Sequence, residues 1–152
     1  MNPNFLNPIS TLIFSMTTLG KGFTTSLTVT VTEEHLASRL DIDAGERFPN
    51  VLSTPWLIAH LERAAAKALH PLLQDGQLSV GSRVVFDHFA PTPLGATFTA
   101  YAKFTGMEGP LYLFDLWAED AGGAIGKGTH ARAVVPGVAV EKRAAKRLGQ
   151  TA

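Results

Sequence analysis

The sequence predicts an α+β domain, a curved antiparallel β-sheet wrapped around one long central α-helix. Three observations carry that expectation. The longest helix-period pattern in the chain opens at Thr54-Pro55, one cleanly alternating strand precedes it, and four strand-like segments follow, parted by turns rich in glycine and proline. That element order makes a two-layer domain in which the helix covers one face of the sheet. The edge strands of such a sheet stay open. This predicts a homodimer or a higher oligomer, with pockets near the subunit boundary.

Residues 1–20 hold the apolar side chains Phe5, Leu6, Leu12, Ile13 and Phe14, broken by Asn, Pro, Ser and Thr. The first basic residue is Lys21, so the charged start of a signal peptide is missing, and no run here is long enough to span a bilayer. The stretch reads as a loosely ordered extension, with Met16 a candidate initiator. A single domain follows over residues 21–148, and 149–152 form a tail.

Over residues 22–32, Phe23, Leu27, Val29 and Val31 alternate with serine and threonines, the pattern of a half-buried strand. Residues 33–40 carry a short helical turn, and residues 41–48 a loop bending at Gly45. At the helix start, Thr54 offers an oxygen to the free N–H groups of the first turn. Pro55 gives up a donor that has no partner there. Leu57, Leu61, Ala64, Ala65, Ala68 and Leu72 fall on one face. His60, Arg63, Lys67, His70 and Gln74 form a stripe expected to face solvent, and Gln74-Asp75-Gly76 stops the pattern. Strands are expected over residues 78–89, 96–105, 111–119 and 124–135, as consecutive neighbours in a meander. Residues 138–148 are expected to form a short helix.

At 152 residues the chain is large enough for one real hydrophobic core, and its formal net charge is zero. Scattered Lys and Arg in a neutral chain argue against a general nucleic-acid or membrane-surface role. The one basic cluster is Glu141-Lys142-Arg143-Ala144-Ala145-Lys146-Arg147, a solvated helical tail or a phosphate site. There is no cysteine, which removes disulfides, thiolate metal sites and thiol nucleophiles, and suits a reducing cytoplasm. The histidines show no HxxxH or HExxH spacing, so no zinc site is expected.

Three polar positions ask for an explanation. Glu62 lies about 120° from the middle of the polar stripe, on the border of the apolar face. Its neighbours one turn away are Ile58, Ala59, Ala65 and Ala66, so no cation of the same helix can pair with it. A carboxylate among alanines needs a partner from another element, or a chemical task. Thr54 is explained by capping or by chemistry. His88 ends a strand ahead of the Pro-rich turn at Pro91-Thr92-Pro93, with Asp87 on the opposite strand face. Spacing supports a Glu/His acid–base pair in a helix-on-sheet pocket, and no hydrolase elbow of the GxSxG type is present.

Several segments, in order and with matching gaps, add a resemblance over roughly residues 23–147. They are Phe48-Pro49-x-Val51-x-x-Thr54 with Glu62 eight positions on, Ser79-Val80-Gly81, His88 ahead of Ala90-Pro91-Thr92-Pro93-Leu94-Gly95, and Gly128-Thr129-His130-Ala131-Arg132. The layout resembles the hotdog fold, and these residues resemble its fluoroacetyl-CoA thioesterase-like family. The resemblance implies a catalytic set of Thr54, Glu62 and His88, with substrate contacts through Gly81 and Arg132. It implies hydrolysis of a small or medium acyl-CoA to free acid and CoA, without a cofactor. On that reading Glu62 activates water or attacks the thioester itself. Thr54 orients the carboxylate or the water, and His88 orients the carboxylate or protonates sulfur. Gly81 offers its N–H to a carbonyl, and Arg132 meets a CoA phosphate or holds the pocket by an ion pair. A non-catalytic acyl-CoA-binding module is the alternative, and a hotdog enoyl-CoA hydratase a further one.

Overall fold

Helix α1 (Thr54–Leu69) turns Leu57, Leu61, Ala64, Ala65, Ala68 and Leu69 into the core, none more than 2% exposed. The strands that receive it are β1 (Thr24–Thr30), β2 (Gln77–His88), β3 (Thr97–Glu108), β4 (Leu111–Asp120) and β5 (Gly123–Pro136). The computed structural model describes residues 18–151, so most of the expected N-terminal extension lies outside the described residues. All strand pairs are antiparallel, in the order β1-β3-β4-β5-β2. Period-two alternation sends Phe98, Ala100, Ala102 and Phe104 of β3, with Phe114, Leu116 and Ala118 of β4, toward the helix. The alanines on both surfaces let α1 lie close across the sheet, and it touches every strand. Among the described residues, no helix is long and apolar enough to cross a membrane.

The strand segments appear where the alternation puts them, but they are not a simple meander. Only β3, β4 and β5 pair in sequence order. β2 lies at the far edge beside β5, and β1 holds the other edge beside β3. The reason is the connection between β2 and β3. Thr92 in it is fully buried; its carbonyl accepts from the Leu52 N–H at 2.8 Å and its hydroxyl donates to Asp120 at 2.7 Å. A single bridge joins Val51 to Pro93. The segment is therefore a strap past the start of α1 rather than a hairpin turn.

Two details of α1 also differ from expectation. The cap is Ser53, not Thr54: the Ser53 side chain accepts from the Trp56 N–H at 3.4 Å, and Thr54 and Pro55 are the first helical residues. His60 does not face solvent with its stripe but is only 5% exposed. Short 3-10 turns over Glu33–His35 and Ala37–Leu40 fold back on the helix here. They bring His35 Nε2 to 3.4 Å from His60 Nε2, and Trp56 and Phe98 complete the box. The stripe reaches water only from Arg63 onward. Arg63 itself donates to His60 Nδ1 at 2.9 Å.

Burial, then the charges of His35 and Arg63, lower the pKa of His60 to about 4, with Glu34 opposing. In the unfolded chain an imidazole titrates near its free value of about 6.5. Between these values the unfolded state binds the proton and the folded state does not, so stability falls as pH falls from about 6.5 to about 4. The difference amounts to about 3 kcal/mol. Urea midpoints measured across this range should drop more steeply for the wild type than for His60→Gln.

After β5, helix α2 (Gly137–Arg147) forms where a short helix is expected, with no buried residue.

Candidate active site

Because Ser53 takes the cap, the Thr54 hydroxyl is free for another partner. It meets His88 Nδ1 at 2.8 Å, at the point where β2 ends beside the first turn of α1. The other ring nitrogen, Nε2, lies 3.1 Å from the Ala90 carbonyl. A carbonyl only accepts, so Nε2 carries the hydrogen and Nδ1 presents its lone pair to the threonine O–H. Burial lowers the pKa of His88, partly offset by the Ala90 bond, which keeps the ring neutral at pH 7. Thr54 and His88 thus make a hydroxyl and an unprotonated base in contact.

Glu62 lies two turns further along, about 12 Å up the helix axis at 1.5 Å per residue. Its carboxylate rests directly on Gly81 of β2. A Cβ on that glycine would stand 2.7 Å from Glu62 Oε1, so any side chain there would push the carboxylate away. Arg132 of β5 is the register partner of Gly81 and donates from Nη1 to Glu62 Oε2 at 3.4 Å. The arginine is 5% exposed and held on every nitrogen: Nε on Ser79 Oγ at 3.1 Å, Nη2 on the Ser79 carbonyl at 2.8 Å, Nη1 also on His130 Nε2 at 3.2 Å. His130 in turn donates from Nδ1 to the Arg83 carbonyl at 2.8 Å, which fixes its tautomer. Burial lowers the guanidinium pKa and Glu62 raises it, and it stays a cation. Glu62 keeps 38% of its side chain exposed. It is a carboxylate oriented from one side by a fixed charge and open on the other.

The structure therefore gathers the five expected residues into two groups. Thr54 sits with His88, and Glu62 with Gly81 and Arg132. No hydrogen bond joins the two groups within one chain among the described residues, and His88, with both nitrogens engaged, does not orient Glu62 here. Of the two roles open to Arg132, the ion pair is the one this geometry makes. Ser79 and His130, which aim that arginine, and Ser53, which releases Thr54, were not singled out from the sequence. Strand alternation is the signal for the first two: each stands two residues from its site neighbour, on the same face. Among the described residues, no three or more His, Cys, Asp or Glu side chains are grouped to hold a metal.

A cavity of about 720 Å³ opens at the other end of α1, lined by Leu19, Lys21, Leu72, Phe104, Met107 and Tyr112 among others. None of the five expected residues lines it. Tyr112, which lines it, is the β4 register partner of Arg132.

Residues 31–138 match a family model described as fluoroacetyl-CoA-specific thioesterase. A fluoroacetyl-CoA thioesterase of Streptantibioticus cattleyicolor is 36% identical over 88 residues, covering 58% of this chain and 63% of that protein. The match thus spans less than two thirds of that relative's length. A solved fluoroacetyl-CoA thioesterase superposes with a TM-score of 0.79 at 30% identity, covering 90% of this chain and all of that one. A thioesterase superfamily member from Thermus thermophilus gives 0.78 at 25% identity, over 88% and 98% of the two chains. A hot-dog-like protein from Thermanaerovibrio acidaminovorans, 24% identical over 86% and 94%, gives 0.74 and speaks to the fold alone. The helix-on-sheet architecture is the hotdog fold.

Proposed function

The chain belongs to the fluoroacetyl-CoA-specific thioesterase family, and from that premise we propose that it hydrolyses a small or medium acyl-CoA thioester to the free acid and CoA. The observation that carries the proposal is the Glu62 carboxylate, seated on a residue without a Cβ and aimed by the buried Arg132. Glu62 takes a proton from water as the water oxygen attacks the thioester carbonyl. The tetrahedral oxyanion then collapses, the C–S bond breaks, and the thiolate leaves as CoA. If Glu62 attacks instead, an acyl anhydride forms as the thiolate leaves, and water then cleaves it. Gly81 keeps the approach to the carboxylate clear and presents backbone to the acyl carbonyl. Thr54, with its proton directed at His88, accepts from the attacking water and orients it. The absence of cysteine is in keeping with work in a reducing cytoplasm.

The two groups meet if the protein is a homodimer. β2 is an edge strand with no fully buried residue; Leu78 and Val85 along it, and Phe89 just past its end, are exposed. Antiparallel pairing of β2 with a second copy, centred on Val85 so that it faces its own counterpart, would cover this edge. With Ser82 taken up by the bulge between Gly81 and Arg83, that register sets Gly81 opposite His88 of the partner subunit, so Glu62 faces the partner's Thr54 and His88 in two equivalent sites.

Release of free thiol from a series of acyl-CoAs of rising chain length tests the activity. Turnover of the short or medium members is the expected result. Tight binding across the series without thiol release would replace the hydrolase with an acyl-CoA-binding module.

A further inference from the structure

Helix α2 concentrates charge in a way the site described so far does not use. Lys142, Arg143, Lys146 and Arg147 form two i,i+4 pairs side by side, within an arc of about 140° at 100° per residue. Val138, Val140 and Ala144, with Leu148 just beyond, lie on the remaining arc together with Glu141, the only acid of the helix. All four cations are exposed, and none takes part in an ion pair among the described residues. These are four of the chain's 13 Lys and Arg, in a chain of zero formal charge, so the remainder is net acidic and the positive field gathers here. The helix dipole favours Lys146 and Arg147, which stand in the last turn. It gives no such reason for Lys142 and Arg143, and like charges one turn apart oppose the helix. An anion bound across the square would lift that repulsion.

The position of α2 says which anion. β5 runs from Arg132, the partner of Glu62, about 13 Å to Pro136 and directly into α2. Gly137 then packs on Leu78, where a Cβ would come 2.7 Å from Leu78 Cδ1, three residues from Gly81. A thioester at Glu62 carries its phosphates at the far end of the pantetheine arm, and those phosphates need cations at the surface near this end of β2. We propose that the basic face of α2 binds the diphosphate and 3′-phosphate of the CoA portion of the substrate, an assignment that rests on the thioesterase reading. Arg143 and Arg147 offer planar forks to phosphate oxygens, and Lys142 and Lys146 point charges beside them.

The test is the fourfold variant Lys142→Gln/Arg143→Gln/Lys146→Gln/Arg147→Gln, which removes no buried side chain. It is assayed on an acyl-CoA and on the same acyl group carried by N-acetylcysteamine, which has no phosphate. The KM for acyl-CoA should rise by about tenfold with kcat kept, the KM for the truncated thioester should not move, and added salt should weaken only the wild type. Equal KM shifts on both substrates, or none on acyl-CoA, would overturn the assignment. Calorimetric titration with CoA itself separates the two readings. Weaker CoA binding by the variant, in a protein that hydrolyses neither substrate, keeps the phosphate site and removes the thioesterase. Hydrolysis with unchanged CoA binding does the reverse. Binding of the wild type alone to phosphatidylserine vesicles, with KM unaltered, would give the helix to a membrane surface and overturn the proposal.

Discussion

Glu62→Gln should lower acyl-CoA hydrolysis by about 10²- to 10⁴-fold while the protein stays folded. The substitution keeps the size and planarity of the side chain. An amide oxygen can still accept from Arg132, and an amide is small enough to rest on Gly81. What it lacks is basicity and the charge needed for attack on a carbonyl. Arg132 loses its counter-ion but keeps Ser79 and His130, and Glu62 is partly solvated, so the penalty in stability is modest, about 1 kcal/mol. Thiol release and a thermal melt on the same preparation separate the outcomes. A melt close to wild type with the rate gone assigns Glu62 to the chemistry. Unchanged rates would remove it from the mechanism.

That prediction comes from a feature visible in the bare sequence. Glu62 among alanines, with no cation one turn away, announces a partner outside its helix, because periodicity fixes which neighbours a helical residue has. The identity of the partner is a matter of strand pairing. Arg132 reaches Glu62 because β2 and β5 are neighbours with Gly81 opposite Arg132. Alternation within a strand says which side chains share a face, but not which strand lies alongside. The expected meander failed for the same reason: Pro91-Thr92-Pro93 signals a turn, and nothing local distinguishes a hairpin from a strap packed on Leu52. His60 shows the limit on helices. Its stripe is polar, yet the 3-10 turn that covers it is set by contacts of His35 with Ser53 and Trp56. The cap lay one residue from where Thr-Pro suggests, because Ser53 and Thr54 are both good caps and only the backbone decides between them.

The position of the cap makes a second result expected. Thr54→Val should lower hydrolysis by about 10²-fold or more, whereas Thr54→Ser, which keeps the hydroxyl, should retain most of it. Neither should loosen the helix, since valine has the shape of threonine and the cap is elsewhere. Ser53→Ala should do the opposite, lowering stability by about 1 kcal/mol with the rate per folded molecule kept. If Thr54→Val melts early instead, the hydroxyl is structural and the His88 contact has no part in turnover. The same variant tests how the two halves of the site meet. Glu62→Gln lacks the carboxylate and Thr54→Val lacks the hydroxyl, so each homodimer is inactive. In a heterodimer the intact Glu62 of one subunit faces the intact Thr54 of the partner subunit, while the second site carries both defects. Equal mixing after dissociation should therefore restore about a quarter of wild-type activity if the site is shared across the β2 edge. A site contained within one chain leaves the mixture as inactive as its components, because in that arrangement no subunit holds both groups.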